Sequence, residues 1–291
     1  MQPRHLFLVI FIMIIYGSAY PIGKIGTNSI PPILFSALRV AILFIGILPF
    51  FKFKMPPKNL ILTLIAFSLV MGIGVYVCLY YALDFSSLVS PIIIGTQLSV
   101  PFGLILSLIF LNEKITFKKW ILIFSSFIGI IIVAYDPRFG DEWIALMIIA
   151  FMAFFYALAN MLSRFLKDIY TLTQIGWHGL ISCIPLFIIS YVVEGNPVTI
   201  LFPMSFNTLL VILHASLVVS LIGHGSLFYL YKFYPVTTVL PFYSLFPIFG
   251  IILTFIIFFE LPNLFEYVGG TIVIGSVYLI YLENKKNIKY N

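Results

Sequence analysis

Charged residues are scarce in this sequence. Aspartate, glutamate, lysine and arginine make up 9% of its 291 residues, whereas 62% are hydrophobic and the mean hydropathy is +1.15. A soluble domain carries about 25% charged and about 45–50% apolar residues. A soluble fold of this composition would expose more apolar surface than water tolerates, which excludes cytosolic enzymes, secreted disulfide scaffolds and disordered chains.

Cysteine is almost absent as well. Cys78 and Cys183 each lie within an apolar run, where two small buried hydrophobic side chains are a better interpretation than a disulfide. No cluster of histidine, cysteine and acidic residues has the spacing of metal ligands, so the sequence implies no metal and no cofactor. The net charge of +6 is divided among short clusters, and without a basic stripe we expect no nucleic-acid partner.

What the sequence does contain is long apolar runs. One bilayer crossing needs about 20 mostly apolar residues, and polar residues divide the chain into ten such runs. They cover approximately residues 6–26, 32–51, 60–80, 88–111, 120–135, 143–163, 171–193, 207–230, 236–259 and 266–282. The runs are continuous and longer than the roughly 10 residues of a barrel strand. We therefore predict an all-α integral membrane protein with ten transmembrane helices, numbered here 1 to 10.

The first run has an alternative interpretation, a secretory signal peptide cleaved after Ala19. The same pattern recurs at the sixth run, where no signal peptide can lie. We therefore favour a membrane helix over a cleaved leader.

The basic residues predict the orientation, because lysine and arginine gather in cytoplasmic loops. With both termini in the cytoplasm, thirteen loop lysines and arginines lie inside and only Arg138 lies outside. With both termini outside, the thirteen residues would lie outside and only Arg138 inside, which is the opposite of the usual distribution. We therefore expect a multi-pass protein with both termini in the cytoplasm.

The two halves of the chain resemble each other. At offsets of 147 and 140 residues, the matched pairs are Phe102-Gly103 with Phe249-Gly250, Glu113 with Glu260, Trp120 with Tyr267, Tyr16 with Tyr156, Lys24 with Arg164 and, within one residue, Arg39 with His178. Each half holds five spans, so the second half crosses in the opposite sense. Many secondary transporters use such inverted repeats to build two related states around one site. We predict a first repeat over 1–137, a second over 143–283 and a basic cytoplasmic tail over 284–291.

Ionisable groups within the apolar runs are few, and each is costly unless it finds a cavity or a partner. Arg39 lies too deep to reach water easily, which favours a cavity or a structural pairing. His178, next to Trp177, mirrors Arg39, and functional and packing roles are equally open for it. Lys24 can snorkel to the outer interface, and His214 fits a packing role. Other polar side chains at similar depths, of which the two amides can equally join helices, are Tyr16, Tyr80, Gln97, Tyr156, Asn160, His224 and Tyr243.

Acidic residues are missing from the middle of every run, since all ten lie in loops or at span ends. A pump for lipophilic cations, or a proton relay of the usual kind, needs an acid at mid-membrane. The cationic and neutral groups that are present favour a substrate with a carboxylate or another anion, such as an amino acid or an organic acid.

Proline and glycine lie where they can break helices. We expect Pro21 and Gly23 to interrupt helix 1, and Pro101 and Pro247 lie at matching places in helices 4 and 9. Broken backbone at membrane depth is tolerated where it lines a cavity, and paired breaks indicate the site. Close packing through small residues is the alternative. We expect helices 4 and 9 to be the moving parts.

Several short segments are informative in combination. They are Tyr16-Gly-Ser-Ala-Tyr-Pro-Ile-Gly-Lys24, Pro31-Pro32 with Ala37-Leu-Arg39, Phe110-Leu-Asn-Glu-Lys114, Phe155-Tyr-Ala-Leu-Ala-Asn160, Ile222-Gly-His-Gly225 and Pro247-Ile-Phe-Gly250 with Phe259-Glu260. In this order and spacing, over essentially the whole chain, they resemble the EamA type of the drug/metabolite transporter superfamily. The resemblance is closest to the subgroup named for export of amino-acid metabolites. The sequence departs from the family pattern at Tyr16, where the family has tryptophan, and at Leu261, where it has a basic residue.

The resemblance implies ten helices in two inverted five-helix repeats, located in the bacterial inner membrane, that move small metabolites by alternating access. By position, it implies a central cavity lined by Tyr16, Tyr80, Gln97, Asn160, His224 and Tyr243, to which the residue analysis adds Arg39, Trp177 and His178. We expect a secondary transporter for amino acids or related carboxylated compounds, whose partners are a small-molecule substrate and the lipid bilayer. A multidrug exporter, an exchange-type importer and, in another class, a membrane-embedded enzyme are the alternatives. The oligomeric state stays open, a monomer included.

Overall fold

The computed structural model of this protein describes residues 2–51, 53–111, 116–139, 142–201, 204–230, 232–234 and 239–289, and this part is helical throughout apart from its connections. Eight of its helices are long and apolar enough to cross a membrane. They are α1 (Pro3–Thr27), α2 (Pro32–Phe50), α3 (Lys58–Phe85), α4 (Ser90–Phe110), α5 (Phe117–Ala134), α6 (Trp143–Phe165), α7 (Thr171–Val193) and α8 (Phe206–Leu230). Two helices with shorter apolar stretches follow, α9 (Phe246–Phe258) and α10 (Leu264–Lys289).

Each of the ten predicted runs overlaps one of these helices. A five-residue helix, Pro197–Leu201, lies between α7 and α8 and was not predicted. The described residues do not include Glu113 of the repeat match, Lys114 of the family motif, Lys52 among the thirteen basic residues expected inside, or Asp141 among the ten acidic residues. The all-helical class is confirmed for the described part, while ten crossings stay a prediction because α9 and the apolar part of α10 are short.

Large apolar side chains cover the outside of the bundle. Phe7 and Phe117, for example, are each 81% exposed, and Leu62 is 77% exposed. Monomeric soluble proteins rarely expose contiguous apolar patches of this kind. The outer surface is therefore suited to lipid tails, and the polar groups have to be satisfied within the bundle.

The predicted break in α1 is wrong, because α1 continues through Pro21 and Gly23. Proline has no N–H to donate, so the carbonyl group of Gly17 loses its helical partner. Gly17 lies directly against α9: a Cβ atom on Gly17 would be 2.7 Å from the backbone nitrogen of Gly250. Because Gly17 has no side chain, the backbones of α1 and α9 can touch there. This is the turn of α1 in which Pro21 removes a hydrogen bond.

The helices depart from regular α-helix at four other places, which form two pairs of corresponding positions in the two halves of the chain. In α4, a 3-10 turn at Thr96–Leu98 separates two α-helical parts, and the 3-10 segment Leu240–Leu245 leads into α9. In α3 and α8, the third helices of the two halves, residues Val70–Val77 and His214–His224 form π-helix. Segments of π-helix are rare and frequently mark functional sites, and the sequence did not predict these two.

Two acidic residues at span ends cap the first turns of other helices. Glu194, after α7, accepts hydrogen bonds from the backbone N–H groups of Ile33 (2.7 Å) and Leu34 (2.8 Å) at the start of α2. Glu260, after α9, accepts from those of Val89 (2.9 Å) and Ser90 (2.8 Å) at the start of α4. The first N–H groups of a helix lack helical partners and favour negative charge, so both carboxylates stabilise the helix starts.

A third polar contact joins the end of α5 to the start of α10. Arg138 forms ion pairs with the buried carboxylates of Asp136 and Glu266. Burial acts to raise the pKa of Asp136, but the hydrogen bonds from Arg138 outweigh it and hold this pKa below its usual range. Asp136 therefore stabilises the fold as an anion.

We expect Glu194→Gln to lower the thermal midpoint in detergent by about 2–4 °C, because the amide replaces a charged acceptor that holds two N–H groups. Scanning fluorimetry measures the midpoint. The control is Glu283→Gln, whose carboxylate pairs with the exposed Lys118 at 3.1 Å. A surface pair of this kind contributes little, and an equal loss in both variants would contradict the capping role.

Asp136→Asn should give a stability loss that depends on pH. The lowered pKa of Asp136 means that its stabilising effect is complete above the unfolded carboxyl pKa of about 3.9 and disappears as pH falls through the folded value. The stability difference between the natural protein and Asp136→Asn should therefore be constant near neutral pH and shrink below about pH 4. Denaturation series at several pH values measure it, with the exposed Asp168→Asn as the control.

Candidate functional site

Arg39 lies at the centre of the bundle and is 2% exposed. From α2 it reaches both π-helical helices: Nε donates to Ser220 Oγ of α8 (2.8 Å), and Nη1 donates to Tyr80 Oη of α3 (2.8 Å). The guanidinium carbon lies 3.9 Å from the ring centroid of Tyr76, which is a cation–π contact. In the described part of the chain, no carboxylate pairs with Arg39. Its charge is held by hydroxyl groups and aromatic rings.

Arg39 forms part of the wall of a small central cavity of about 50 Å³. Its walls come from α1, α2, α3, α4, α6, α8 and α9 and from the 3-10 segment before α9. The aromatic and polar lining residues are Tyr16, Tyr20, Arg39, Tyr76, Thr96, Ser99, Tyr156, His224, Tyr243 and Phe246. A hydrogen bond of 3.0 Å joins the hydroxyl groups of Tyr156 and Tyr243 across the cavity wall.

His224 contributes a hydrogen-bond acceptor to the same cavity. Its Nδ1 lies 2.9 Å from the carbonyl oxygen of Val219, within α8. A carbonyl can only accept, so Nδ1 carries the proton, and in the neutral ring Nε2 is the acceptor. The ring lies against those of Tyr16 (5.1 Å between centroids) and Tyr156 (6.3 Å). The cavity thus combines a cationic donor with a neutral acceptor.

His178 lines a second, smaller cavity that shares Tyr76 and His224 with the first. The hydroxyl of Ser182 donates to the Ser68 carbonyl (2.8 Å), so at 3.2 Å it must accept from His178 Nδ1. Nε2 of His178 is therefore an acceptor, and it has no hydrogen-bond partner among the described residues. A buried acceptor of this kind is suited to a water molecule or to a donor group of a ligand.

The nine predicted site residues fall into three groups. Four line the central cavity, namely Tyr16, Arg39, His224 and Tyr243. Two are adjacent to it: Tyr80 through its bond to Arg39, and His178 through the second cavity. Three are outside the lining of both cavities, namely Gln97, Asn160 and Trp177, the last of which donates to the Lys54 carbonyl at 3.2 Å.

Sequence reasoning missed several contributors to the site, above all Tyr76 and Ser220. Tyr76 lies four residues before Tyr80, a spacing that places two side chains on one helix face. Because Tyr80 was a predicted site residue, this spacing could have predicted Tyr76 as well. Ser220 carried no such signal, because serine is common where membrane helices pack closely.

The profile of the EamA-like transporter family matches residues 4–135 and 143–282 of this chain. The chain belongs to this family. The match consists of two segments, one in each half, in agreement with the internal repeat. An EamA-like transporter is not an enzyme, and the cavity between the two halves is its candidate substrate site.

Curated relatives of this EamA-like transporter carry transporter names. A probable amino-acid metabolite efflux pump of Escherichia coli (strain K12) is 20% identical over 94% of this chain and 93% of its own length. A protein of the same name from Salmonella typhimurium is 21% identical over 94% of this chain and 93% of its own length. The uncharacterized transporter YoaV of Bacillus subtilis (strain 168) is 26% identical over 65% of this chain and 67% of its own. A crystal structure with a TM-score of 0.67, covering 98% of this chain and 99% of its own, has 13% identity and shares the fold alone.

Tyr80→Phe should destabilise the transporter by about 1–3 kcal/mol, because it leaves a buried N–H group of Arg39 without its acceptor. Tyr81→Phe is a matched control on the same helix, since its ring stacks on Phe85 at 6.1 Å instead. Denaturant titration in detergent gives both unfolding free energies. Equal values for the two variants would contradict the role of Tyr80 in holding Arg39.

Proposed function

We propose that this protein is a secondary transporter that moves small carboxylated metabolites, amino acids or related compounds, across the bacterial inner membrane by alternating access. The observation that carries the proposal is Arg39, a buried cation on the cavity wall without a carboxylate partner in the described part of the chain. A buried unpaired charge is costly. A substrate carboxylate would remove this cost, and a cationic substrate would increase it.

The geometry of Arg39 supports this interpretation. A guanidinium has five N–H donors, and the described bonds to Ser220 and Tyr80 use two of them. The remaining donors can bind a carboxylate in the bidentate manner that arginine favours. Because Tyr76 stacks on the guanidinium at 3.9 Å, the plane of the charged group is fixed before the substrate arrives.

His224 and the tyrosine rings favour an amino acid among the carboxylated compounds. An ammonium group only donates hydrogen bonds, and Nε2 of His224 only accepts. The faces of tyrosine rings also attract cations. An α-amino acid would therefore place its carboxylate at Arg39 and its ammonium group near His224. The names of the enterobacterial relatives agree with this class.

The membrane arrangement belongs to the same proposal. We infer ten crossings in two inverted five-helix repeats, 1–137 and 143–283, with both termini and the basic tail in the cytoplasm. The distribution of basic residues supports this orientation, and the paired 3-10 and π-helical segments support the repeat. In this orientation, the ends of α1, α3, α5, α7 and α9 and the starts of α2, α4, α6, α8 and α10 face the outside.

Counterflow in proteoliposomes tests the substrate class. Purified protein is reconstituted with an unlabelled amino acid, an organic acid or a cationic dye inside, and uptake of the labelled compound is followed. We expect saturable exchange of the carboxylated compounds. Exchange of the cationic dye alone would contradict the proposal and favour a multidrug exporter.

Arg39→Gln should decrease the exchange of carboxylated compounds by about a hundredfold, the loss that follows when one partner of a buried charge pair is truncated. Arg4→Gln is the matched control, because Arg4 is exposed at the cytoplasmic start of α1 and bonds only to Gln2 among the described residues. Exchange rates of both variants are compared at equal amounts of folded protein. Unchanged exchange in Arg39→Gln would refute the assignment of the site.

A further inference from the structure

The inverted repeat allows each contact at one face of the membrane to be compared with its counterpart at the other face. One pair of contacts is present at both faces. At the outer face, Glu142 before α6 accepts from the N–H of Ser87, at 2.7 Å. At the inner face, the N–H of Gln2 before α1 donates to Tyr234 Oη, at 3.2 Å. The two contacts correspond in the repeat, because an offset of 140 residues relates Gln2 to Glu142 and an offset of 147 relates Ser87 to Tyr234.

A second pair of contacts is present at one face alone. Lys24, at the outer end of α1, donates to the carbonyl oxygens of Leu83 (2.7 Å) and Ser86 (2.8 Å) at the outer end of α3. We call this contact the outer latch. The same offsets lead to Arg164 at the inner end of α6, and to the carbonyls of Leu230 and Phe233 at the inner end of α8.

This counterpart, which we call the inner latch, is open. The side chain of Arg164 is exposed and forms no hydrogen bond or ion pair with the described residues. Carbonyl groups at the end of a helix carry partial negative charge and are suitable acceptors for arginine, as those of α3 are for Lys24. In the present state, the Leu230 carbonyl accepts from the N–H groups of Phe233 (3.0 Å) and Tyr234 (2.9 Å), so these turn contacts take the place that Arg164 would have in a closed inner latch.

The helix contacts at mid-membrane show the same asymmetry. In one pair, α1 and α9 meet backbone to backbone: a Cβ on Gly250 would lie 3.2 Å from the Gly17 carbonyl oxygen and 3.0 Å from Ile93 of α4. The repeat counterparts of Gly17 and Gly250 are Ala157 of α6 and Gly103 of α4. A Cβ on Gly103 would meet nothing within 4 Å. Side chains join α4 and α6 at this level, with the rings of Phe102 and Phe154 at 5.7 Å between centroids, but Gly103 itself makes no close approach like that of Gly250.

We propose that Lys24 and Arg164 are alternating latches that determine which face of the transporter is closed. In the present state, Lys24 holds α1 to α3, α1 packs on α9, and the outer face is closed. In the opposite state, Lys24 releases α3, Arg164 binds the carbonyls of Leu230 and Phe233, and α4 closes on α6 at Gly103. The contact of Glu142 and that of Gln2 persist in both states and act as hinges. This inference rests on the proposed alternating access and on the cytoplasmic placement of the termini.

Chemical labelling of a single cysteine tests the latches without a transport assay. Cys78 and Cys183 are replaced by alanine, and Ser99→Cys places one thiol on the cavity wall. A membrane-impermeant thiosulfonate is added to right-side-out or inside-out vesicles. We expect faster labelling from the cytoplasmic face than from the outer face in this background.

Lys24→Met removes both hydrogen bonds of the outer latch and should raise the rate of labelling from the outer face by at least about tenfold, the population change that follows from losing charge-assisted hydrogen bonds. Arg164→Met should have the opposite effect and lower that rate, because it removes the contact that stabilises the outward-open state. Lys24→Arg, which keeps the donor, should restore the original rate. Lys232→Met is the control, since Lys232 lies over the ring of Tyr170 (5.3 Å) and belongs to neither latch.

Valine at Gly103 gives a second, independent test. The present state has room for Gly103→Val, but the side chain would obstruct the approach of α4 to α6. This variant should abolish labelling from the outer face while it stays monodisperse in detergent and labelled from the cytoplasm. Gly275→Val on α10 is the matched control, because a Cβ there also meets nothing within 4 Å.

The outcomes separate the latches from alternating access itself. Labelling that depends on the face but is the same in Lys24→Met, Arg164→Met and the control would overturn the latches alone. If the thiol of Ser99→Cys is labelled from one face only in every variant, or from neither, alternating access is contradicted and with it the proposed function.

Discussion

The bonds of one buried guanidinium hold the centre of this transporter together. Arg39 of α2 joins the two π-helical helices, α3 and α8, which belong to opposite halves of the chain. It does so without an acidic partner in the described residues, so the side chains around it must supply hydroxyl oxygens and ring faces. This requirement accounts for the tyrosines and serine that surround it. The same requirement leaves the charge available to a ligand.

The acidic residues have a different task, which follows from the hydrocarbon environment. A helix that starts or ends near the membrane core has unpaired backbone groups that water cannot reach easily. Glu194 and Glu260 each satisfy two N–H groups of a neighbouring helix, and Lys24 satisfies two carbonyls. Charge at the span ends therefore holds helix to helix, and charge at the centre is reserved for the cavity.

The sequence predicted the helices well, and four of its nine candidate site residues line the central cavity, whose role as the substrate site stays a prediction. Bilayer thickness dictates helix length, so apolar runs locate α1 to α8 closely even where no amphipathic face exists. Gln97 and Asn160 were placed in the cavity by their position in the family pattern, and Trp177 by its place beside His178. Neither argument determines the direction in which a side chain points from its helix, and the structure places all three outside the lining of both cavities. Arg39 was identified because its cost in a membrane is large whichever way it points.

Local winding was beyond sequence reasoning. Pro21 suggested a break, yet α1 continues through it, and Gly17, whose carbonyl lacks the N–H that proline cannot supply, packs closely on Gly250. The π-helical stretches of α3 and α8 are rich in β-branched residues and contain glycines, which weakens their helix propensity without specifying π-helical winding. Tyr76 and Ser220 of these stretches contact Arg39, a tertiary contact that the local sequence does not predict. Propensity is a weak guide wherever such contacts override it.

The uncompensated cation at the cavity has a kinetic consequence. Under the proposed alternating access, the carrier would pass between its two open states through an occluded one, in which Arg39 would lose whatever water entered the cavity. Desolvating a bare guanidinium is costly, whereas a guanidinium paired with a carboxylate is close to neutral. With the proposed carboxylated substrate, the loaded carrier would therefore cross this barrier faster than the empty one, and solute on the far side would accelerate the return step. Such a carrier would exchange one carboxylated solute for another more readily than it would perform net flux.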